Sequence, residues 1–454
     1  MNHIPDIVQH IKNKSVLIVG FGREGNSTYN FIRKHLPEKH ITIADKNKIS
    51  IIDPYLTIIS GVDYLKHLNQ YDLIFKTPGV SFKNLTNSID CSKITSQTDL
   101  FLQWYGNQTI GVTGTKGKST TSSLIFHILK EANRDVVFGG NIGIPLFDLI
   151  PSINPDTIIV SELSAHQLEF IHKSPHISVL LNLFQDHLDH FNSIENYFNA
   201  KWNINKFQNQ GDLFIFNDDD LTIKHNQNWN INTTYLGFSQ TKIIDNGAYI
   251  DQNQIIIKSN NNIKFRIPIQ NLSHLPGNHN LNNIMAAILT CYSFGITLVE
   301  IEKHIQSFSG LEHRIEFVGI FDDVHYYNDS ISTIPEATIS ALKALEHVKT
   351  LILGGFDRGI DYSKLYEFLE NNPVENIAFT GPAGERMMVE WKNHKKSIKN
   401  LLFTNNYNQI LEFCRFQTPK NGKCLLSPAA ASYDQFKNFE ERGIFFKNQI
   451  KKQS

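Results

Sequence analysis

The run Gly111-Val-Thr-Gly-Thr-Lys-Gly-Lys-Ser119 constrains the fold more than any other part of this chain. An apolar strand pattern, Thr109–Val112, precedes it, and a helix pattern from Thr120 to about Glu131 follows it. Glycines between a buried strand and a helix let backbone N–H groups surround phosphate oxygens. Lys118 supplies an ammonium that reaches the outer phosphates, and Ser119 supplies a hydroxyl for Mg²⁺. The first glycine stands one position earlier than in a strict P-loop. The run therefore predicts a variant P-loop in an α/β domain.

Acidic and imidazole groups follow two neighbouring strand patterns. The strand Thr157–Ser161 delivers Glu162, and the strand Ile177–Leu183 delivers Asp186-His187-Leu-Asp-His190. A P-loop needs a carboxylate for its metal, normally at the end of an adjacent strand. Mg²⁺ prefers oxygen ligands, yet one imidazole among carboxylates and phosphates is chemically possible. We therefore expect Glu162 near the metal, whereas for His187 an ordinary surface loop stays open as an alternative.

A second glycine-rich turn, Gly20-Phe-Gly-Arg-Glu-Gly25, lies between the strand Ser15–Val19 and the helix Asn26–His35. Asp45 ends the next strand pattern. Small residues at such a turn let the helix N-terminus approach a phosphate, and an acid at that place commonly meets a ribose. The pattern predicts a phosphate-binding turn of the dinucleotide type, without identifying the nucleotide. A tight turn of purely structural purpose is the alternative.

Strand and helix patterns alternate along most of the 454 residues, which favours α/β domains with parallel sheets. At roughly 150 residues per domain the length predicts about three domains. We expect a dinucleotide-type N-terminal domain at 1–106, a central P-loop domain at 107–311, and a C-terminal Rossmann-like α/β domain at 312–454. The polar stretch 217–271 predicts a small β-rich part of the central domain.

Three polar groups follow strands of the last domain: Asn328-Asp-Ser330, Asp357-Arg358 after Gly354-Gly355, and Ser427-Pro-Ala-Ala-Ala-Ser432. Open α/β sheets bind ligands at the carboxyl ends of their strands. Each group alone is an ordinary strand-to-helix turn. Their shared placement predicts a ligand site on the third domain.

Composition excludes several classes of protein. The net charge of -1 gives no broad grip on nucleic acid or anionic membranes, and no apolar stretch approaches the roughly 20 residues that span a bilayer. The four cysteines are scattered without metal or redox spacing. We therefore expect a cytoplasmic protein with small-molecule partners, without nucleic acid and without membrane insertion.

Several further runs, taken with the P-loop, resemble the Mur ligase superfamily over nearly the whole chain and in order. They are Ser161-Glu-Leu-Ser-Ala-His-Gln-Leu-Glu169, Asn182 to Asp189, Tyr197-Phe-Asn-Ala-Lys201, Gly277-Asn-His-Asn280 and His313-Arg-Ile-Glu316. Gly139-Gly-Asn-Ile-Gly143, Asn328-Asp-Ser330 and the long run Leu426 to Gly443 most resemble the glutamate-adding members. The resemblance implies an ATP-dependent ligase of peptidoglycan precursor synthesis that acts as a monomer.

The resemblance also assigns residues to roles. ATP is expected at Gly114, Thr115, Lys116, Gly117, Lys118, Ser119, Thr120, Asn280, Arg314 and Asp329. The UDP-linked substrate is expected at Gly22, Arg23, Asp45, Lys46, Asn141 and Ser164, and glutamate at Thr333, Arg358, Ser432 and Phe439. Mg²⁺ is expected at Ser119, Glu162, His187 and a carbamylated Lys201. The catalytic group is then Lys118, Lys201, His187 and Arg314.

The implied reaction joins glutamate, by default D-glutamate, to UDP-N-acetylmuramoyl-L-alanine through an acyl-phosphate. One departure concerns the amino-acid pocket, because Ile331 and Ile334 replace a lysine and an asparagine of the usual run, and Arg358 stands where a lysine is usual. An L-glutamate-adding variant therefore stays open. A folylpolyglutamate synthase shares only the last two domains, and a nicotinamide oxidoreductase would explain only the first glycine turn.

Overall fold

The computed structural model of the protein describes residues 3–83, 85, 89–225, 230, 232–259, 262–272, 275, 279–308, 310–345, 347–392 and 398–452. The chain divides into two compact units: the first comprises the described residues up to 272 together with 279–306, and the second comprises residue 275 and the described residues from 307 to 452. Gly277 and Asn278 of the predicted Gly277–Asn280 motif lie outside the described residues.

The first sheet of the first unit is parallel throughout, with the strand order β3-β2-β1-β4-β5. Its strands are β1 (Val16–Val19), β2 (Ile41–Asp45), β3 (Leu56–Ser60), β4 (Leu73–Lys76) and β5 (Ile94–Thr95). The helices of this part are α1 (Ile4–Lys12), α2 (Arg23–His35) and α3 (Gln97–Tyr105). The strand order reverses beside β1, and ligands of open α/β sheets bind at such a switch point.

The second sheet runs β14-β13-β12-β11-β10-β9-β6-β8-β7. Its strands are β6 (Thr109–Thr113), β7 (Val136–Gly140), β8 (Ile158–Glu162), β9 (Ile177–Leu180), β10 (Leu213–Asn217), β11 (Thr234–Ser239), β12 (Gly247–Asp251), β13 (Gln254–Ser259) and β14 (Asn262–Pro268). The helices are α4 (Lys118–Glu131), α5 (Leu146–Leu149), α6 (Ala165–Leu168), α7 (Leu188–Phe191), α8 (Ile194–Lys206), α9 (Leu221–Lys224), α10 (His279–Ser293) and α11 (Leu298–Gln306). Among the described residues, the pairs β12–β13 and β13–β14 are antiparallel and the other pairs are parallel, so the polar stretch does build a β-rich edge.

The second unit holds one mixed sheet in the order β15-β16-β20-β17-β18-β19. Its strands are β15 (Glu316–Phe321), β16 (Val324–Asn328), β17 (Val348–Gly354), β18 (Asn376–Thr380), β19 (Asn400–Phe403) and β20 (Lys423–Leu426). The helices are α12 (Pro335–Leu345), α13 (Ser363–Asn371), α14 (Gly381–Trp391), α15 (Tyr407–Gln417) and α16 (Phe439–Lys452). Among the strands that the structure describes here, only β15 pairs antiparallel, and apolar clusters cover both faces of the sheet.

The predicted mixed α/β architecture with parallel sheets in three domains is confirmed, while the boundaries 106/107 and 311/312 stay predictions. Several elements differ from their predicted bounds by one or two residues, and two differ by three residues. Helix α2 begins at Arg23 rather than Asn26, directly after the glycine turn. Strand β9 ends at Leu180 rather than Leu183, because the next residues bond to the P-loop and to Asp220 instead of continuing the ladder.

Within the described part of the chain, every helix is too short or too polar to cross a bilayer.

Candidate active site

The P-loop joins β6 to α4, and two of its glycines have backbone conformations that other residues rarely adopt. Gly114 has φ +153° and Gly117 has φ +87°, and Gly117 caps α4 without a side-chain hydrogen bond. The first-turn N–H groups of α4 therefore meet no side-chain cap, as an anion-binding helix terminus requires. Gly111 lies inside β6, where an added Cβ would be 2.5 Å from Pro175 Cγ. That early glycine serves strand packing.

Residues that follow β9 hold the P-loop in place through hydrogen bonds. The Thr115 N–H donates to the Asn182 carbonyl at 2.9 Å, and the Lys116 N–H donates to Asn182 Oδ1 at 2.8 Å. The Thr115 hydroxyl lies 3.2 Å from the Tyr197 hydroxyl. These contacts fix the loop without occupying the N–H groups at the start of α4.

Two lysine side chains converge on one carbonyl of the loop. Lys118 Nζ donates to Gly114 O at 2.8 Å, and Lys201 Nζ donates to the same oxygen at 2.9 Å. Lys201 is only 1% exposed. Burial lowers the pKa of Lys201 well below its usual range, and the Lys118 charge lowers it further, against the opposite effect of Asp186 and Glu162. A neutral amine is the form that attacks CO₂.

Glu162 ends β8 and is 1% exposed. Its Oε1 accepts from Asn141 Nδ2 at 2.6 Å, while its buried Oε2 has no hydrogen-bond partner among the described residues. His187 has φ +52° at the start of α7, and its half-exposed ring lies 3.7 Å from Asp186 Oδ2. In the described ranges, no three His, Cys, Asp or Glu side chains stand together as a preformed metal cluster. Ser119 is the second residue of α4.

Asn280 reaches the P-loop helix through another asparagine. Asn283 Nδ2 donates to Asn280 Oδ1 at 2.9 Å, and Asn283 Oδ1 accepts from the Thr121 hydroxyl at 3.1 Å. A Cβ at Gly117 would lie 2.4 Å from Asn283 Oδ1. Asn283 therefore packs Asn280 against Gly117 and α4. Of the two asparagines, the sequence analysis assigns only Asn280 to the ATP site.

The other glycine turn borders a cavity of about 410 Å³ at the switch point of the first sheet. Of the six residues predicted for the UDP-linked substrate, five line it: Gly22, Arg23, Asp45, Lys46 and Asn141. Gly20 has φ +90°, and an added Cβ would lie 2.1 Å from Thr77 Oγ1. Only glycine fits this turn.

Two of these residues have partners in the protein. Asp45 Oδ2 accepts from the Phe21 N–H at 2.6 Å, and its Oδ1 accepts from the Asn47 N–H at 2.7 Å, so the carboxylate also shapes the turn. Arg23 Nη2 donates to Asn141 O at 2.8 Å. Because Asn141 also bonds Glu162, this residue links the cavity to the end of β8.

Ser164, the sixth predicted residue, does not line the cavity. It caps α6 in a capping box with Gln167, whose Nε2 donates to Glu24 Oε1 at 2.6 Å. Burial raises the pKa of Glu24 to about 7, against the lowering effects of Gln167, Arg23 and Lys76. Ser164 therefore acts on the cavity through Gln167 and Glu24.

A buried ion pair lies behind the same cavity. Lys76 Nζ, at the end of β4, lies 2.7 Å from Glu169 Oε2, which also lies 3.0 Å from His190 Nε2. The ring of His166 packs 4.3 Å from that of His190. Burial lowers the pKa of His166 to about 3, and the neighbouring histidines add to this. His166 is therefore neutral at physiological pH.

In the second unit, Asp329 follows β16 and is 1% exposed. Its Oδ2 accepts from the Ser427 hydroxyl at 2.6 Å, and its Oδ1 accepts from the Ile315 N–H at 3.2 Å. Burial raises the pKa of Asp329 to about 6, although these bonds and the Arg314 charge oppose the rise. The ends of β16 and β20 are thereby joined.

Arg314 is exposed on an unusual turn. His313 before it has φ +63°, and Ile315 after it has φ +46°. A β-branched residue in the left-handed region is strained, at a cost of roughly 1–3 kcal/mol. The Asp329 contact to the Ile315 N–H holds this turn in place.

The structure brings Thr333 and Arg358 together. Arg358 is exposed, and its Nη2 donates to Thr333 O at 3.4 Å. The adjacent Asp357 is paired with Arg386 at 2.8 Å, and this partner lowers the pKa of Asp357 to about 2. Arg358 therefore takes no part in the ion pair between Asp357 and Arg386.

Ser432 and Phe439 flank a loop held by a buried arginine. Arg442 is 1% exposed and donates to the carbonyls of Ala430 and Ala431 and to Ser330, with distances of 2.8 to 3.2 Å. Phe439 begins α16, and its carbonyl accepts from the Ser330 hydroxyl. Arg442 therefore fixes the ends of β16 and β20 relative to each other.

Glu24, Gln167, Asn283 and Arg442 were not assigned from the sequence. Gln167 lies within the run Ser161–Glu169 and Arg442 within the run Leu426–Gly443, and both runs stand out in the sequence. Glu24 also lies within such a run, the turn Gly20–Gly25, whereas Asn283 has no signal other than three-dimensional contact.

Comparison with known proteins supports one class. Residues 112–291 match the Mur ligase middle domain. The UDP-N-acetylmuramoylalanine--D-glutamate ligase of Clostridioides difficile is 34% identical over 97% of this chain and 99% of the relative, and that of Ruminiclostridium cellulolyticum is 31% identical over 99% of each. The solved structure of UDP-N-acetylmuramate-alanine ligase MurC from Thermotoga maritima, 18% identical, covers 97% of this chain and 100% of its own with a TM-score of 0.56, which shows the fold. The class is that of multidomain, ATP-dependent amide ligases.

The chain belongs to the Mur ligase family. The resemblance noted in the sequence is thereby confirmed, as is the prediction of an ATP-dependent ligase of peptidoglycan synthesis. The roles of individual residues stay predictions.

Proposed function

We propose that this chain joins D-glutamate to UDP-N-acetylmuramoyl-L-alanine, with ATP converted to ADP and phosphate. The observation that carries the proposal is the match over nearly the full length to relatives named for that reaction. The P-loop and the cavity beside Gly22 and Arg23 supply separate places for two nucleotides. A chain with one nucleotide site would not need both.

In the proposed reaction, an oxygen of the alanyl carboxylate attacks the γ-phosphorus of ATP, and ADP leaves. The amine of glutamate then attacks the acyl carbon, the C–O bond to phosphate breaks, and the amine loses a proton. Lys118 and the first-turn N–H groups of α4 stabilise negative charge on the transferred phosphoryl group. The family resemblance assigns Arg314 to the same charge.

The residues expected to hold Mg²⁺ are Ser119, Glu162, His187 and a carbamylated Lys201. Their chemistry fits: Glu162 has a buried oxygen without a partner among the described residues, and Lys201 is a buried amine of lowered pKa. When bound, the metal neutralises repulsion between triphosphate and carboxylate. Carbamylation would turn the amine of Lys201 into an anionic oxygen ligand, whereas a protonated Lys201 would repel the metal.

The third domain is the proposed place for glutamate, with Arg358 and Thr333 for one carboxylate and Ser432 and Phe439 nearby. A guanidinium suits a carboxylate because it offers two parallel N–H donors. We place the reaction in the cytoplasm because ATP is consumed and all four cysteines are free thiols.

The direct test is phosphate release with UDP-N-acetylmuramoyl-L-alanine, ATP and each glutamate enantiomer in parallel. We expect turnover with D-glutamate. The second candidate is addition of L-glutamate, which Ile331 and Ile334 favour because they change the amino-acid pocket. Turnover with neither enantiomer would refute the proposal, and turnover with L-glutamate alone would select the variant.

A further inference from the structure

Glu24 lies on the first turn of α2 and borders the cavity proposed for the UDP-linked substrate. Its carboxyl oxygen Oε2 is shielded from solvent and has no hydrogen-bond partner among the described residues. Carboxylates are almost never left this way, because an ionised group without partners loses its hydration energy. The placement sets a titratable group directly behind an anion-binding turn.

The orientation of Gln167 decides which oxygen of Glu24 can hold a proton. Gln167 Oε1 accepts from the Ser164 N–H at 2.9 Å, and a backbone N–H can only donate. Gln167 Nε2 therefore faces Glu24 Oε1, and that oxygen is the acceptor of a 2.6 Å bond. A proton on Glu24 consequently resides on Oε2.

The charged surroundings leave the protonated and ionised forms close in free energy. Burial raises the pKa of Glu24 to about 7, and the bond from Gln167 and the charges of Arg23 and Lys76 keep it from rising further. Lys76 is itself engaged by Glu169 at 2.7 Å. The charged groups on all sides are Arg23 on the same helix, Lys76 and Glu169 behind it, and Asp45 and Lys46 across the cavity.

We propose that binding of the anionic UDP-linked substrate is coupled to uptake of one proton by Glu24, so that this positioning residue makes substrate affinity depend on pH. The inference rests on the proposed function, which puts a diphosphate in this cavity. Like charges held close together raise the pKa of the carboxyl, and neutralisation removes the repulsion. No contact between Oε2 and the ligand is needed.

The sign follows from linkage. Because the bound-state pKa of Glu24 lies above the free-state pKa of about 7, affinity is highest below pH 7 and falls as pH rises toward the bound-state pKa. In that window the dissociation constant of the UDP-linked substrate rises up to about tenfold per pH unit. The affinity for ATP does not follow this profile.

The test is calorimetric titration of UDP-N-acetylmuramoyl-L-alanine into the full-length enzyme at pH 6.5 to 9, in buffers of different ionisation enthalpy. For the wild type at pH 8 we expect uptake approaching one proton. E24Q keeps the shape and the acceptor for Gln167 but carries no charge, so it should take up no proton and bind about 50-fold more tightly than the wild type at pH 9. E38Q removes an exposed glutamate of the same domain and should behave as the wild type.

Wild-type binding without proton uptake, or equal uptake by E24Q, would overturn the inference. If E24Q does not fold, the proton count and pH profile of the wild type still decide. Failure of the UDP-linked substrate to bind at any pH would overturn the proposed function together with the inference. Binding without proton uptake would overturn the inference alone, so the two failures can be told apart.

Discussion

Replacing Arg358 by alanine tests the placement of glutamate on the third domain. Arg358 is exposed, and its one described bond, to Thr333 O, is 3.4 Å long. Exposed substitutions of this kind change the free energy of unfolding by about 0.5 kcal/mol or less. R358A should therefore fold with near-normal stability, so that its effect on kinetics can be read directly.

The kinetic effect follows from the bond that Arg358 is proposed to make to a carboxylate of glutamate. A hydrogen bond to a charged partner contributes about 1.5–3 kcal/mol, and 1.4 kcal/mol is tenfold in an equilibrium constant. Loss of the guanidinium should raise the KM for glutamate by about 10- to 150-fold and leave the KM for ATP unchanged. R358K tests geometry, since an ammonium restores charge but not the paired donors.

The assay is phosphate release with glutamate varied at saturating ATP and UDP-linked substrate, and then with ATP varied. R415A is the matched control, because Arg415 is a half-exposed arginine of the same unit that pairs with Asp322 at 2.7 Å. It should leave both KM values unchanged. A raised KM for ATP with an unchanged KM for glutamate in R358A would show that the amino-acid pocket lies elsewhere.

Three further predictions concern the first unit. K118A should lose about 10²-fold or more of kcat at saturating ATP, the scale of one preorganised electrostatic contact, and near-normal turnover would disprove the P-loop role. K201A should lose most activity and regain part of it with acetate or propionate, whereas full activity without rescue would refute carbamylation. G20A should weaken binding of the UDP-linked substrate while sparing ATP, because its Cβ would lie 2.1 Å from Thr77 Oγ1; the wild type should not bind NAD, and titration with both ligands checks this.

The architecture could be predicted because its signals are local. Apolar strands followed by glycine turns mark β1 and β6, and alternation along the chain indicates parallel α/β domains. The sequence predicts the start of α2 three residues too late, because Arg23 to Gly25 fit the pattern of the turn although they are already helical. The sequence predicts β9 three residues too long. The apolar Leu181 and Leu183 continue the strand pattern, although this segment leaves the ladder and supports the P-loop.

The candidate site was less predictable wherever a role depends on distant contacts. Nothing in the sequence around Asn283 shows that it closes against Gly117, 166 positions before it. Glu24 stood in plain view inside the glycine turn, yet its significance comes from Gln167, which is 143 residues away in the chain. The spacing of a motif records which backbone turns a ligand needs, while the burial and pairing of its neighbours are set by the assembled fold.

The left-handed Ile315 has a consequence for attempts to engineer this enzyme. Two opposing effects decide stability at this position: glycine adopts φ +46° without the steric penalty of a branched side chain, but it gives up the packing of the Ile315 side chain against the apolar core of the second unit. The same change would loosen the segment that carries Arg314. Under the proposed role of Arg314, a change at Ile315 alters turnover as well as melting temperature, so a useful screen must measure both on every clone.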